Sequence, residues 1–421
     1  MIRTHAFPCS LPKPEADALN QESGRIYSRV MVNHYRVYRQ SGEVWLSQYD
    51  AMKLTDFYDA QDGQERLLHA HSVDAAQEGF YKACKTAKAC KQAGLPNAHY
   101  PRKRKFWRTT IWKNSGIRAE SGVLLLARAR GLEPIRVNLP SQLASLPPKS
   151  FVEMRLVWDK ASRRYNWHLV GDDGKLAAEP TGTGVMAGDP GEIHPMALTN
   201  GVETVVVSAR ALRAVHQYTN KRLAEIQRLQ AAKVKGSRKW KKLQRRKNRF
   251  LAQQKRRTRD IEHKVSRAVV DIAVDQQTGT LALGDVRDVA DGKRLKAKSQ
   301  QKIGNWSHGQ LRQQIEYKAA AAGITVELVD EAYSSQTCPE CRHRHKPKGR
   351  LYRCPTCGFV AHRDAVGAVN LLSRRLHGEV GRIRPPAETK YRHPFGKLAF
   401  RTGKRSRPDT AELAEAGHDG Y

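Results

Sequence analysis

Residues 338–372 read CPECRHRHKPKGRLYRCPTCGFVAHRDAVGAVNLL. Two Cys-Pro-x-Cys knuckles, Cys338/Cys341 and Cys354/Cys357, stand twelve residues apart, and each knuckle turns the chain so that two sulfurs face one point. Four thiolates satisfy a tetrahedral Zn2+ completely, so the spacing predicts a structural zinc ribbon with no position left for water. His343 and His345, between the knuckles, are expected to be solvated or to face phosphate rather than to bind the metal. Directly after the ribbon, Asp364 begins an apolar-periodic helix. An acid there is equally what a helix dipole favours.

Working outward, the segments upstream alternate between strand and helix signals. Runs at 185–188, 196–198 and 204–207 suit three antiparallel strands. A helical pair follows, broken at Lys235, Gly236 and Ser237, and Ile261, Val265, Ala268, Val269 and Ile272 form its core-facing stripe. TLALGDV and ITVELVD are two further strands, and HGQLRQQIEYKAAAAG between them makes a crossover unit that sets the two strands parallel. Asp189, in AGDPGEIHPMAL, ends the first strand, and Gly191 lets the chain turn away and leaves the carboxylate clear. Asp-x-Gly is also a common turn. Hard carboxylate oxygens converging from separate strands are what a two-metal phosphodiester hydrolase requires.

The remainder of the chain divides by composition. Residues 23–91 are mostly helical with a cationic face, while 101–170 carry short β-type runs: FWRTTIW, VLLLARA, FVEMRLVW and YNWHLVG. GDDGKLAAEPTGTG is a turn-rich linker. From Gly378 on, Pro, Arg and Gly occur without periodicity and predict a flexible basic tail.

Lys plus Arg number 75 against 41 Asp plus Glu, an excess of +34 in 421 residues that repels itself unless a polyanion is present. Nucleic acid is that polyanion, bound with release of counterions; simple solubility or an anionic membrane is the blander reading. Twelve of the 22 positions from 238 to 259 are Lys or Arg, with Trp240, Leu243 and Phe250 interleaved. Arg238, Lys239, Lys241, Lys242, Arg245, Arg246 and Arg249 are expected to grip phosphate without sequence preference. Arg102, Lys103, Arg104, Lys105, Phe106 and Trp107 give cations and rings suited to stacked bases, although Trp107 is also a core candidate. No stretch reaches the roughly 20 apolar residues of a membrane span, and the first twenty residues lack the apolar core of a signal peptide. Seven cysteines, four of them in knuckles, suit a reducing compartment, and the expectation is prokaryotic cytosol or nucleoid.

The order DPG, RDIEHKVSRAVVD, LALGDV, NWSHGQLRQQIEYKAAAAGITVELVDEAYSSQTCPEC, CPTCG and HRDAVGAVNLL resembles the RuvC domain of TnpB nucleases over residues 185–376. Type V CRISPR effectors and Fanzor proteins share that core. The resemblance implies an RNA-guided DNA endonuclease of α/β multidomain architecture. Its parts would be a wedge β-barrel in two pieces (1–22 and 99–180) around a helical recognition domain (23–98), an RNase H-like (RuvC) domain (181–332 and 361–377), an inserted zinc ribbon (333–360), and the tail (378–421). It further implies a transposon-derived guide RNA of the omega type, a double-stranded DNA target, one RNA per monomer, and catalytic Mg2+, two ions in all. Asp189 and Asp364 match the first and third catalytic carboxylates.

At the second carboxylate the sequence departs from the family, which has Glu where this chain has Gly284. Either the nuclease is dead and the protein only binds, or another acid serves. Glu331, at the C-terminal end of ITVELVD, lies one strand, about 5 Å, further from Asp189 and could lean over the space that Gly284 leaves. Some TnpB relatives and Fanzor proteins are similar in having such a relocated glutamate. Strand alternation turns Asp285 and Asp330 to the opposite face, so the expected magnesium set is Asp189, Glu331 and Asp364. A transposase joining strands itself is disfavoured, since nothing resembles a tyrosine-recombinase or relaxase site.

Overall fold

The computed structural model describes residues 2–42, 44–61, 66–144, 146–147, 150–172, 178–180, 182–287 and 296–394. Two compact units divide between residues 176 and 177, within the turn-rich stretch.

The first unit opens with β1 (Ile2–Pro8), followed by three helices, α1 (Lys13–Gln40), α2 (Gln48–Gln61) and α3 (Ala70–Gln92). Six strands and a short helix complete it: β2 (Thr110–Lys113), β3 (Ile117–Glu120), β4 (Val123–Leu126), β5 (Ile135–Asn138), α4 (Ser141–Ala144), β6 (Phe151–Asp159) and β7 (Arg164–Asp172). One sheet has the order β1-β7-β6-β2 and another β3-β4-β5, all pairs antiparallel. Trp112 and Trp167 meet edge to face at 5.8 Å in their shared core.

α1 begins ten residues before the expected helical stretch, at Lys13. Prolines at its start are tolerated because first-turn amides have no intrahelical partner. Its first half lies on the sheet, where buried Asn20 donates to the Leu156 carbonyl (3.2 Å) and accepts from the Thr110 amide (2.9 Å). Its second half packs Tyr27, Val30 and Met31 against Phe80 and Cys84 of α3. Trp107 is 56% exposed, which corrects the alternative of a core role.

The second unit contains β8 (Gly184–Asp189), β9 (Met196–Thr199), β10 (Thr204–Val207), α5 (Arg210–Ala231), α6 (Arg238–Asp275) and β11 (Thr278–Asp285). It continues with α7 (Ala297–Asn305), α8 (His308–Ala321), β12 (Thr325–Asp330), β13 (Leu351–Arg353), β14 (Val360–His362), α9 (Arg363–His377) and β15 (Thr389–Arg392). Its six-stranded sheet runs β12-β11-β8-β9-β10-β15, with β8, β11 and β12 parallel and β8, β9 and β10 antiparallel. This is the RNase H-like order.

Alternation along the strands gives the sheet two unlike faces. Met186, Leu198, Leu281 and Leu283 pack against Val265, Val269 and Ile272 of α6 and Leu311 and Ile315 of α8. On the other face Ala187 and Ala282 meet Leu371 and Leu372, and Ala197 meets Ala368. Alanines there let α9 approach the sheet closely.

The segment after Gly378 corrects the expected tail. Gly378 ends α9 in the left-handed conformation (φ 77°), and the chain returns to add β15 as a parallel edge strand on β10. The remainder of the expected tail, 395–421, lies outside the described residues.

Candidate active site

The three carboxylates singled out in the sequence reach one cavity of about 960 Å³ in the second unit. Asp189 arrives from the end of β8, Glu331 from the turn after β12, and Asp364 from the first turn of α9. Asp189 is pushed well above the usual carboxylate range, first by burial, then by the negative charges of Asp364 and Glu331, with Arg363 opposing. Carboxylates crowded in this way need a cation or a proton between them. Tyr333, Lys346, Arg350 and Arg363 also line the cavity.

Glu331 lies close to position 284. Gly284 pairs with Val329 across β11 and β12, and a Cβ on it would lie 3.6 Å from Glu331 Cβ and 3.1 Å from both Pro190 Cδ and Leu371 Cδ1. The space above Gly284 is thus bordered by Glu331 itself. Asp285 faces elsewhere: it is not among the cavity residues, and an ion pair with Arg287 holds its carboxyl below the ordinary range. Asp330 is likewise engaged, accepting from Arg374 Nη1 at 2.9 Å and from the Ala332 amide at 3.0 Å.

Three contributors went unnoticed in the sequence. Gly367 sits where α9 crosses Asp189: a Cβ there would overlap Asp189 Oδ2 and lie 2.9 Å from its Cγ, so only glycine lets the helix pass that carboxylate. Arg374 donates to the Asp330 and Ala332 carbonyls, one on each side of Glu331. Buried Asn370 donates to the Ser334 and Thr337 carbonyls (2.7 and 2.8 Å) and accepts from the Gly381 amide (2.9 Å). A glycine within helix periodicity signals only a weak spot, and Asn or Arg near a helix end reads as an ordinary surface residue, so no sequence signal marked these roles.

Beside the cavity, Cys338, Cys341, Cys354 and Cys357 bring their sulfurs within 4.8 Å of one another. Cys338 and Cys357 sulfurs are 3.6 Å apart, and those of Cys341 and Cys354 3.5 Å. Tetrahedral thiolates about 2.3 Å from a zinc ion would be about 3.8 Å apart, so the four residues fit such an ion. The two knuckles share one turn, with Arg342 (φ 61°) and Gly358 (φ 73°) in equivalent left-handed positions. His343 and His345 stay outside this cluster; their rings stack at 6.1 Å, and His345 Nδ1 pairs with Tyr352 Oη at 3.3 Å.

The basic residues at 238, 239, 241, 242, 245, 246 and 249 are all exposed on α6, while Trp240, Leu243 and Phe250 are half-buried. Phe250 meets Tyr218 of α5 edge to face at 5.8 Å, which pins the two helices. In the first unit Arg102, Lys103 and Arg104 are exposed, and Arg104, Lys105, Phe106 and Trp107 line a separate cavity of about 770 Å³ with Arg25 and Arg29.

A six-stranded RNase H-like sheet of this order is the RuvC nuclease class of fold. A solved Cas12f1–sgRNA–target DNA complex shares it, with a TM-score of 0.54 at 12% identity over 86% of this chain and 83% of that one. Residues 308–371 match the family described as Cas12f1-like, TNB domain. A TnpB-like protein of Methanocaldococcus jannaschii is 29% identical over 189 residues, 44% of this chain and 65% of that protein. The CRISPR-associated endodeoxyribonuclease Cas12f1 of Sulfoacidibacillus thermotolerans is 34% identical over 113 residues, 26% of this chain and 25% of that protein. The matched region thus spans less than two thirds of either relative. The chain is thus similar, over part of its length, to TnpB-like proteins and to Cas12f1 endonucleases.

Proposed function

We propose that this protein is an RNA-guided DNA endonuclease of the TnpB type, with Asp189, Glu331 and Asp364 as its magnesium ligands. The observation that carries the reading is the approach of Glu331 to the space over Gly284, in the same cavity as Asp189 and Asp364. Three converging carboxylates are the hard-oxygen set that suits Mg2+. Two such ions, when bound, would lower the barrier to phosphodiester hydrolysis by clamping the attacking and leaving oxygens. The chain's own part is to hold the acids: Gly367 makes room for Asp189, the first turn of α9 presents Asp364, and Arg374 fixes the turn that carries Glu331. Arg350 and Arg363 add positive charge suited to a phosphate.

The four cysteines would hold a structural Zn2+, keeping the ribbon folded against the N-terminal end of α9. Exposed cations on α6 suit the backbone of a guide–target duplex, and the Arg104–Trp107 cleft suits unpaired bases and phosphate. The partners are accordingly a transposon-derived guide RNA and double-stranded DNA. Among the described residues no helix is long and apolar enough to cross a membrane, and the proposed setting is the prokaryotic cytosol, at the nucleoid.

The test is cleavage of a plasmid bearing a matched target by ribonucleoprotein purified with its own RNA. Mg2+-dependent cutting that Glu331→Ala abolishes, with RNA retention unchanged, is the expected result. Tight target binding without cutting under any guide would leave an RNA-directed binding protein instead. Loss of cutting in Asp285→Ala alone would reassign the second ligand.

A further inference from the structure

His194 belongs to the turn after β8, and the three-carboxylate set makes no use of it. Donor atoms of His194, His362 and Asp364 nevertheless all lie within 4.8 Å of one another. His194 is 3% exposed, and its Nδ1 has no hydrogen-bond partner. Buried polar atoms are almost always satisfied, so a buried imidazole that has an unpartnered nitrogen and stands beside another imidazole and a carboxylate points to a ligand. The two rings are 6.0 Å apart and inclined at 62°, an edge-to-face arrangement that can direct nitrogens to a common point, unlike a parallel stack.

We propose that His194, His362 and Asp364 form a second cation site that takes a first-row transition ion such as Mn2+, sharing Asp364 with the acidic cavity. Two imidazole nitrogens and one carboxylate suit such an ion better than Mg2+, which prefers oxygen. His362 Nδ1 accepts the Asp364 amide at 3.3 Å, a long cap bond, and coordination through either ring nitrogen exchanges that bond for the metal. The guanidiniums of Arg350 and Arg210 near His194 oppose a cation, and the carboxylate of Asp364 supplies the opposing charge.

The site shares one residue with the nuclease reading but does not require cleavage. Pulsed electron paramagnetic resonance on the full chain, with zinc supplied to the cysteines and Mn2+ then titrated, tests it. Bound Mn2+ should show nitrogen modulation from two imidazoles, reduced to one in His194→Gln and in His362→Gln. In Asp189→Ala/Glu331→Ala the nitrogen signal should persist while cutting is lost. Mn2+ coupled only to oxygen in the unsubstituted chain overturns the proposal even if a variant fails to fold, as does nitrogen modulation undiminished in both histidine variants. Cutting with oxygen-only Mn2+ would sink this site and spare the nuclease; nitrogen-bound Mn2+ without cutting in the unsubstituted chain would do the reverse.

Discussion

At Gly367 one missing methyl group decides whether a carboxylate and a helix can occupy adjoining space. Alanine is the better helix former by about 1 kcal/mol, so Gly367→Ala is expected to leave folding intact. Its Cβ would nonetheless displace half-buried Asp189. Misplacement of a reacting group by about 1 Å costs on the order of 100-fold in rate, and a fall of at least that size in target cleavage, with an unchanged melting temperature, is the expected pair of measurements. Asp189 supplies a second prediction. Its folded-state pKa is raised, so its proton stabilises the metal-free fold fully below pH 4, and that stability is lost as pH rises toward the folded value. Asp189→Asn should therefore raise the metal-free melting temperature at pH 7 and not at pH 4, and Mg2+ should stabilise the parent chain far more than the variant. These two residues also differ in legibility. Asp189 was recognisable because a strand, an acid and a turn glycine occur together, whereas Gly367 has meaning only once the helix is laid across the strand. Glu331 lies between: the resemblance to the family marked the missing glutamate at Gly284 and strand alternation narrowed the substitutes, but the Arg374 clamp that holds its turn had no signal.

Among the elements, α9 and the ribbon form one mechanical piece. Tyr352 and Cys354 pack with Val366, so the hairpin's small core is shared with the helix that presents Asp364. β13 and β14 have three residues each, too few to hold a hairpin without further ties. Chelation of the cysteine-bound metal should accordingly abolish cutting in excess Mg2+, with Zn2+ and not additional Mg2+ restoring it; circular dichroism and cleavage followed together would check this. The ribbon was the most legible element because thiolate spacing has few other uses. α1 starts earlier than expected, with Pro12 and Pro14 at its first turn, where proline fits. β15 was missed: TKYR carries little alternation, and its strand character comes from pairing with the edge of β10.

For the whole molecule, the excess of +34 charges sets the terms of association. Affinity for guide RNA should fall steeply with salt, and replacing Lys241, Lys242, Arg245 and Arg246 by Gln should lower the log–log salt slope by roughly one for each phosphate no longer neutralised. Filter binding between low and physiological salt measures it. A slope unchanged by the four substitutions would remove α6 from the binding surface. The strand order of the second unit was legible because parallel and antiparallel pairs leave distinct connection lengths. Placement of the two units in space has no such signature.

Arg374 has a wider consequence. One helix bears Asp364 and, through Arg374 and Asn370, also grips the turn that offers Glu331, while Asp189 stays with the sheet. Asp364 and the turn that bears Glu331 are therefore tied through one helix. A slight slide of that helix along the alanine face would shift Asp364 against Asp189 and pull on the turn that offers Glu331, opening or shutting the proposed metal cradle like a jaw moving against an anvil.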